Sequence, residues 1–148
     1  MKLSTRGRYG LRAVVELAAR QGAEPVSLSV LAAEQDVSES YLEQLMRSLK
    51  NAGIVSTARG KAGGYRLARA ADEISVGAVL TALEGSTAIA DCVDGNGGVC
   101  ESACTCAARP LFLTLQRRID AVLDETTVQD LCEDYLTQKR RQSDAGLS

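Results

Sequence analysis

Apolar residues recur at every third or fourth position over much of the N-terminal half of the chain, with polar residues between them. This period predicts amphipathic α-helices, the first over residues 9–20 and ended by a turn at 21–25. Ser27 and Ser38 are suited to cap two further helices, and Gly53 is suited to end the second of these. The apolar positions of the three helices are Leu11, Val14, Val15, Ala18, Leu28, Leu31, Ala32, Leu42, Leu45, Met46 and Leu49.

The pattern changes from helical to extended just after Gly53. Residues 54–58 favour a short strand, residues 60–64 are rich in glycine and suited to a turn, and residues 65–67 favour a return strand. Two short helices joined by a tight turn and followed by a hairpin are typical of a winged helix-turn-helix.

Helical spacing returns in three segments of the C-terminal half. Ser75 is suited to cap the first segment, which ends at Gly85, and Pro110 marks the first turn of a longer helix. The apolar residues of that helix are spaced 4, 3, 4 and 3, which is typical of a seam between paired helices, although an ordinary core helix has the same short pattern. Thr126 and Gln129 predict a capping box for the last helix. The seam residues are Ala108, Phe112, Leu115, Ile119 and Val122.

Together these elements predict a mainly α fold with a small β-hairpin, in which a winged helix-turn-helix is joined to a long dimerisation helix. We divide the chain into a winged helix-turn-helix at 1–69, a short helix and cysteine-rich sensor loop at 70–106, the dimerisation and C-terminal helices at 107–138, and a flexible tail at 139–148. No apolar run is long enough to cross a bilayer, and we see no secretory leader. We therefore expect a cytoplasmic protein.

The net charge of −2 hides an uneven distribution. Residues 1–69 carry a net charge of +5, and residues 70–148 a net charge of −7. A basic N-terminal half indicates a face for a polyanion. Histidine is absent, and with no paired nucleophile and base we do not expect an enzyme. A thiol–disulfide catalyst and a protein-binding module remain as alternative classes.

Four of the five cysteines lie in the glycine-rich segment 92–106, which has too few apolar residues to form a core. In a reducing compartment, clustered thiols favour a metal centre or a redox switch over a structural disulfide. Four interpretations stay open: an iron–sulfur cluster, a zinc site, a metal-free thiol–disulfide switch, and a loop that has lost its ligand set. Cys132 has helical core spacing, so we expect it to be buried.

The polar face of the third predicted helix carries side chains suited to reading DNA, although a solvated helix face has the same pattern. Gln44 is suited to adenine and Glu43 to cytosine N4. Arg59 and Lys61 flank a glycine-rich tip that is thin enough for a minor groove. The predicted DNA-binding residues are Ser38, Ser40, Tyr41, Glu43, Gln44, Arg47, Arg59, Lys61, Gly63 and Gly64, with phosphate contacts expected from Lys2, Arg6, Arg8 and Arg12.

Four motifs follow one another along the chain: residues 1–9, Ser40–Leu45, Arg59–Tyr65 and the cysteine loop. With these motifs the chain resembles the bacterial winged-helix regulators that include the iron–sulfur cluster regulator, the nitric-oxide-sensitive repressor and the cysteine-metabolism repressor. The resemblance implies a homodimer, joined through the long helix, that binds an imperfect palindrome of double-stranded DNA. It implies transcription regulation by redox state, nitric oxide or iron–sulfur status, or alternatively a repressor of cysteine and sulfur metabolism governed by a thiol–disulfide switch or a protein partner.

The resemblance also implies a set of metal ligands in the cysteine loop. The family's three cysteines match Cys92, Cys100 and Cys106, with Cys104 as an additional thiol, and would hold an iron–sulfur cluster of the 2Fe–2S or 4Fe–4S type. In one branch of the family a histidine after the third cysteine completes the site, but Arg109 stands at that position here and cannot bind a metal. The fourth ligand stays open among Cys104, a loop carboxylate and a small molecule.

Overall fold

The computed structural model describes residues 3–95 and 100–146, and these form six α-helices and a two-stranded sheet. The predicted mainly α fold with one hairpin is confirmed, as is the order of its elements. No helix in this part of the chain is both long and apolar enough to cross a membrane. The elements are α1 (Thr5–Ala19), α2 (Leu28–Gln35), α3 (Glu39–Asn51), β1 (Val55–Ala58), β2 (Gly64–Leu67), α4 (Val76–Glu84), α5 (Arg109–Glu125) and α6 (Val128–Ala145), with short 3₁₀ turns at Ala71–Glu73 and Asp91–Val93.

Serine caps begin four of these helices, and three of the four, at Ser27, Ser38 and Ser75, were predicted from the sequence. The hydroxyl of Ser27 accepts a hydrogen bond from the amide of Val30 at 3.3 Å. Ser38 accepts from the amide of Tyr41 at 3.2 Å, and Ser75 caps α4 in the same way. Each bond satisfies an amide that the first helical turn leaves unpaired, and such a cap contributes about 1 kcal/mol.

The core lies between α1, α3 and α4. Leu42, Leu45 and Leu49 of α3 are 0% exposed, and burying each contributes about 1.5–3 kcal/mol relative to an exposed leucine. Helix α1 approaches α4 closely at Gly10, where a Cβ atom would lie 2.4 Å from Leu83 Cδ1. A larger residue at position 10 would push the two helices apart. This packing fixes the direction in which α3 presents its opposite face.

The capping box of α6 lies one residue beyond the predicted pair, Thr126 and Gln129. Thr127 has the extended backbone of a cap, and its hydroxyl accepts from the amide of Asp130 at 3.1 Å. The carboxylate of Asp130 accepts in return from the amide of Thr127 at 2.8 Å. Thr126 instead ends α5, where its hydroxyl donates to the carbonyl of Val122 at 2.7 Å. The prediction was wrong because two adjacent threonines fit the pattern, and an aspartate closes the box here in place of a glutamine.

Helix α6 packs along α1 and continues further than predicted. The buried carboxylate of Glu16 on α1 accepts hydrogen bonds from the Tyr135 hydroxyl at 2.5 Å and from Arg20 at 3.1 Å. The ammonium of Lys139 lies 4.9 Å from the centre of the Tyr135 ring. The helix then runs to Ala145, past residue 139, where we predict a tail. Glutamine, lysine and arginine in this stretch favour helix without an apolar period.

Helix α5 differs from the other helices because much of its apolar face is exposed. Leu111 is 58% exposed, Leu115 is 39% exposed and Val122 is 62% exposed. These three residues lie along one side of the helix, and we call them the α5 stripe. Phe112 and Ile119 of the predicted seam are half-buried. An exposed stripe of this kind is typical of a helix that pairs with a partner surface.

Candidate nucleic-acid interface and thiol loop

One face of α3 is polar and exposed, while the opposite face forms part of the core. The exposed residues include Ser40, Glu43, Gln44 and Arg47, all of them predicted DNA contacts. The guanidinium of Arg47 lies 3.6 Å from the carboxylate of Glu43, one turn earlier. An exposed pair of this kind adds little stability, but it balances a carboxylate that would otherwise repel phosphate. The face therefore offers hydrogen-bonding groups of both kinds with little net charge, as base reading requires.

Tyr41, another predicted residue of α3, is half-buried rather than exposed. Its ring meets that of Tyr9 on α1 edge to face, with the ring centroids 6.3 Å apart. The guanidinium of Arg12 lies 5.5 Å from the centroid of Tyr9. Aromatic pairs of this geometry contribute about 0.5–1.5 kcal/mol beyond their burial. The stack therefore helps to hold α3 against α1 and leaves Arg12 exposed near Tyr41.

The wing follows α3 directly and carries the two predicted cations at its tip. The antiparallel register leaves residues 59–63 between the strands, with the side chains of Arg59 and Lys61 exposed. Gly60 has a φ of +102°, and its carbonyl accepts from the amide of Gly63 at 2.9 Å. A positive φ favours glycine, so this tight turn depends on the residue at position 60. The result is a thin cationic hairpin end.

Gly63 and Gly64 are required by the packing of the wing itself. A Cβ atom on Gly64 would lie 2.4 Å from the carbonyl oxygen of Val26. One on Gly63 would lie 2.8 Å from the carbonyl oxygen of Ala58. Val26 and Tyr65 exchange two backbone hydrogen bonds, of 2.9 and 2.7 Å, so the chain before α2 is bridged to the hairpin. Packing accounts for both glycines, and their contact with DNA stays a prediction.

The charged residues of the polar face of α3 influence strand β2 of the wing. Burial raises the pKa of the Tyr65 phenol on β2. The carboxylate of Glu43 raises that pKa further, and the guanidinium of Arg47 lowers it. These two charges of α3 therefore act on the side chain of Tyr65 in the wing. A ligand long enough to cover the helix face would also reach the hairpin.

The predicted phosphate contacts near the N-terminus divide into two kinds. Arg8 and Arg12 are exposed and positioned for a polyanion. Arg6 is half-buried, because its Nε donates to the carbonyl of Leu83 at 3.3 Å and its Nη2 to the hydroxyl of Ser48 at 3.5 Å. Arg6 therefore connects α1 to α4 and α3. From the sequence, its positive charge indicated a phosphate contact instead. Lys2 lies outside the described residues.

The four loop cysteines are free thiols that the described residues do not gather. Cys100 and Cys104 are exposed, while Cys92 and Cys106 are half-buried. Within residues 3–95 and 100–146, no group of three or more histidine, cysteine, aspartate or glutamate side chains is placed to hold a metal ion. The ligand set implied by the resemblance is therefore present in the chain but not assembled in this conformation.

Cys132 is separated from the loop thiols by its surroundings. It lies on α6 and is 4% exposed, so its predicted burial is confirmed. Burial raises the pKa of its thiol, with smaller contributions from the charges of Glu133 and Glu16. A buried, protonated thiol is a poor nucleophile, which limits the reactive cysteines to the loop.

Cys104 and Cys106 line one cavity of about 320 Å³ at the start of α5. Arg109 and Arg117 line the same cavity. The Nε atom of Arg109 is buried and has no hydrogen-bond partner in the described part of the chain. Arg109 thus contributes a cation beside two thiols, where the family resemblance would place a histidine ligand. We call this space the thiol–arginine cavity.

Gln116 ties α5 to the segment that leads into the cysteine loop. Its side chain is buried, and its Oε1 accepts from the amide of Ile89 at 2.8 Å. Its Nε2 donates to the carboxylate of Asp120 at 2.7 Å. A buried amide with both ends bonded holds its neighbours in one arrangement. No sequence pattern indicated that Gln116 is buried, because a glutamine next to Leu115 of the seam has the pattern of a surface residue.

Comparison with known proteins links this architecture to bacterial regulators. Residues 3–134 match the family Rrf2, described as "Iron-dependent Transcriptional regulator". The HTH-type transcriptional regulator CymR of Bacillus subtilis is 39% identical over 131 residues, which cover 88% of this chain and 89% of that protein. The HTH-type transcriptional regulator IscR of Aliivibrio salmonicida is 36% identical over 151 residues, which cover 100% of this chain and 89% of that protein.

Solved structures lead to the same group of proteins. The structure of CymR (YrzC), described as the global cysteine regulator of B. subtilis, matches with a TM-score of 0.77 and 38% identity. The match covers 90% of this chain and 97% of that one. Identity to CymR and to IscR is so similar that overall likeness does not select between these two kinds of regulator.

Proposed function

This chain belongs to the Rrf2 family of transcriptional regulators, and we propose that it is a cytoplasmic homodimer that binds palindromic DNA and senses redox state, nitric oxide or iron–sulfur status through its cysteine loop. Its relatives are named as transcriptional regulators, which agrees with our prediction that it is not an enzyme. One observation carries the proposal: a single chain exposes a base-reading helix face, a cationic wing tip and an apolar stripe.

We propose that α3 occupies the major groove and the wing tip the neighbouring minor groove. Gln44 has the amide that pairs with adenine, and Glu43 can accept from the N4 amino group of cytosine. Arg59 and Lys61 are exposed on a tip thin enough to enter the minor groove, where a narrow A·T tract attracts cations. Arg12 would contact the backbone between the two grooves.

The α5 stripe supports the homodimer. Leu111, Leu115 and Val122 are large apolar side chains on one side of a helix whose spacing suits a paired seam. Pairing two copies through a two-fold axis would bring two reading heads onto one side of a duplex. The half-sites would then lie about 34 Å apart or a multiple of that distance, one helical turn of DNA. An imperfect palindrome is the DNA sequence that matches this symmetry.

The loop thiols fit an iron–sulfur cluster by the chemistry of the donor set. Thiolates are the ligands that such clusters prefer, and Cys92, Cys100 and Cys106 would hold one, with Cys104 as the candidate fourth ligand. All four are unpaired, and none is buried. When bound, the cluster would supply a redox-active centre. Because the described residues do not gather these thiols, the loop would have to close for binding.

The alternative is a metal-free thiol switch, or control by a protein partner, in a repressor of cysteine and sulfur metabolism. Cys104 and Cys106 already share a cavity, whereas three ligands for a metal are not assembled among the residues that the structure describes. The relative CymR is described as a global cysteine regulator. A switch of this kind needs only two of the loop thiols.

Either form of sensing needs a path from the loop to the DNA-reading heads, and Gln116 offers one. Its bond to the amide of Ile89 joins α5 to the segment just before Cys92. A rearranged loop would pull on this bond and shift α5, and with it the spacing of the two heads. A coupling of about 1–3 kcal/mol would change operator affinity about 5- to 150-fold.

Selection of bound duplexes from a random pool tests the DNA-binding half of the proposal. We expect a palindromic consensus, a two-to-one ratio of chains to duplex, and affinity that falls steeply with salt because phosphate contacts release counterions. A monomer that binds all duplexes weakly and equally would overturn this half. The consensus duplex then serves for the sensing experiment.

Anaerobic purification followed by absorption spectroscopy and iron and sulfide analysis tests the cluster. Binding to the consensus duplex is then compared for loaded, cluster-free and thiol-oxidised protein. Iron and sulfide in equal amounts with a changed affinity would support the cluster, and a change only on thiol oxidation would support the alternative. Identical affinities in all three states would remove the switch while leaving the DNA binding intact.

A further inference from the structure

The thiol–arginine cavity has features that neither DNA reading nor dimerisation explains. Two thiols, of Cys104 and Cys106, and two guanidinium groups, of Arg109 and Arg117, line one space of about 320 Å³. It lies where the cysteine loop enters the first two turns of α5. Arginine is not a metal ligand, so a set of ligands alone does not account for these two residues.

The positive charge of this cavity is not balanced from within. No ion pair among residues 3–95 and 100–146 includes Arg109 or Arg117. The Nε atom of Arg109 is buried without a partner, an arrangement that is unfavourable unless a ligand or water supplies an acceptor. Helix α5 also begins here, and the positive end of its dipole adds to the potential, although the amide of Arg109 donates to the carbonyl of Cys106 at 3.3 Å. All of these groups are suited to an anion.

We propose that, in the metal-free chain, the thiol–arginine cavity is a covalent modification site that selects small disulfides carrying carboxylate groups. The guanidinium groups would hold a carboxylate by paired N–H···O bonds while a thiol lies within the same cavity. Cys104 is the exposed thiol of the two, and we assign the reaction to it. This inference requires neither DNA binding nor a cluster.

The reaction is thiol–disulfide exchange, with the small disulfide as the oxidant. The thiolate of Cys104 attacks one sulfur of the reagent, the reagent's S–S bond breaks, and a new S–S bond joins Cys104 to half of it. The other half leaves as a thiolate and takes up a proton from solvent. Two electrons pass from the protein thiol to the departing sulfur, and no other reactant is needed.

The other thiols provide the contrast that makes the selection measurable. Cys92 and Cys100 do not line the thiol–arginine cavity, and Cys132 is buried. A reagent that reacts by exposure alone would modify Cys100 as readily as Cys104, since both are exposed. A reagent held by the arginines would favour Cys104.

The test measures exchange rates of the full-length, metal-free protein with three disulfides of similar size. These are dithiodipropionate, which carries carboxylates, hydroxyethyl disulfide, which is neutral, and cystamine, which is cationic. Each rate is divided by that of a short neutral peptide thiol, and fragment mass spectrometry assigns the adduct. We expect dithiodipropionate to modify Cys104 about fivefold faster than the neutral reagent, and cystamine to react most slowly.

Single substitutions locate the selectivity. Arg109→Gln or Arg117→Gln should bring the ratio of anionic to neutral rates close to one. Arg118→Gln is the matched control, because Arg118 is exposed on the same helix but does not line the cavity. Cys104→Ser should remove the preference, whereas Cys100→Ser should retain it. The proposal is overturned if wild-type protein shows no preference, or if Arg118→Gln lowers it as much as Arg117→Gln.

Wild-type protein alone provides a second measurement if an arginine variant does not fold. The rate ratio of anionic to neutral reagent should fall as salt rises, because the attraction is electrostatic. The rate with the neutral reagent should stay constant. A ratio that does not respond to salt would overturn the proposal without any variant.

Discussion

Two parts of this molecule, the head and the proposed sensor arm, differ in how their apolar groups are covered. In the head, formed by α1 to α3 and the hairpin, the core leucines of α3 are 0% exposed. In the arm, formed by the cysteine loop and α5, Leu111 and Val122 are 58% and 62% exposed and the loop thiols are unpaired. The leucines of α3 in the head are therefore covered within the chain, whereas the arm leaves apolar side chains and thiols exposed.

This difference suits a regulator in which one part must stay fixed while another responds. A DNA-reading surface needs side chains held in one geometry, and buried leucines, serine caps and the Tyr9–Tyr41 pair hold α3 in place. A sensor needs at least two arrangements of similar free energy. Groups whose partners come from outside the chain can supply that second arrangement.

The largest expected effect tests whether the core of the head is formed by one chain alone. Leu45→Ala should lower the free energy of unfolding by about 2–5 kcal/mol, because it removes a fully buried side chain and leaves a cavity. Leu111→Ala removes the same atoms from an exposed site on α5. We expect urea denaturation to show a loss for Leu45→Ala that does not depend on protein concentration.

Leu111→Ala is the control for Leu45→Ala. Leu111→Ala should lower stability only through the dimer, so its effect should shrink as the protein is diluted. Equal losses for the two variants at every concentration would mean that α5 is buried by its own chain, and the comparison between head and arm would fail.

The second effect concerns the α5 stripe alone. Val122→Glu places a charge at the C-terminal end of the proposed seam and should give monomers by sedimentation. Loss of one subunit contact of about 2 kcal/mol should weaken binding to a palindromic duplex about 30-fold and leave binding to a single half-site unchanged. Ala121→Glu adds the same charge at an exposed position off the stripe and should leave both unchanged. Dimeric Val122→Glu would place the subunit contact elsewhere.

The head could be predicted from the sequence nearly in full because its determinants are local. Ser27 and Ser38 were recognisable as caps, and the three-to-four-residue period of the leucines marked the buried face of α3. A local error outside the head was also small: the capping box of α6 lies one residue from the predicted pair, because Thr126 and Thr127 are adjacent. Local hydrogen bonding and burial decide these features.

For the arm, the sequence indicated which residues take part but not how they are arranged. The sequence indicated which cysteines belong together, but a flexible loop leaves their distances undetermined, and the described residues do not gather them. The contacts of Arg6 and Gln116 join segments far apart in the chain, so no local pattern marked them. The thiol–arginine cavity likewise depends on how the loop meets α5, which neither segment specifies alone.

A third, intermediate effect distinguishes base reading from backbone contact within the head. Gln44→Ala should weaken binding by about 1–3 kcal/mol at the consensus duplex and relax the preference at one base pair. Arg8→Gln should weaken binding to all duplexes alike and reduce the salt slope by about one. Binding to a panel of single-base variants at several salt concentrations measures both. If Gln44→Ala acts equally on all sequences, α3 does not read bases through this residue.

The smallest expected effect lies where α5 meets the segment that leads into the cysteine loop. Gln116→Met keeps the size of the side chain but leaves the amide of Ile89 without its acceptor. Operator affinity of the reduced protein should change little, because the reading face of α3 is untouched. The ratio of affinities between reduced protein and protein with alkylated loop thiols should shrink by a factor that corresponds to about 0.5–2 kcal/mol.

Gln138→Met supplies the control for this last change, since Gln138 is exposed on α6. It should leave the ratio of the two affinities as in the wild type. If alkylation of the loop thiols does not change the operator affinity of the wild-type protein, the sensing proposal itself is contradicted. A wild-type response that survives Gln116→Met would instead leave the sensor intact and move the connection elsewhere. Head and arm would then be joined through a contact other than the Ile89 bond, and the packing of α4 against α1 at Gly10 and Leu83 is the next candidate, because it too leaves no room for independent movement.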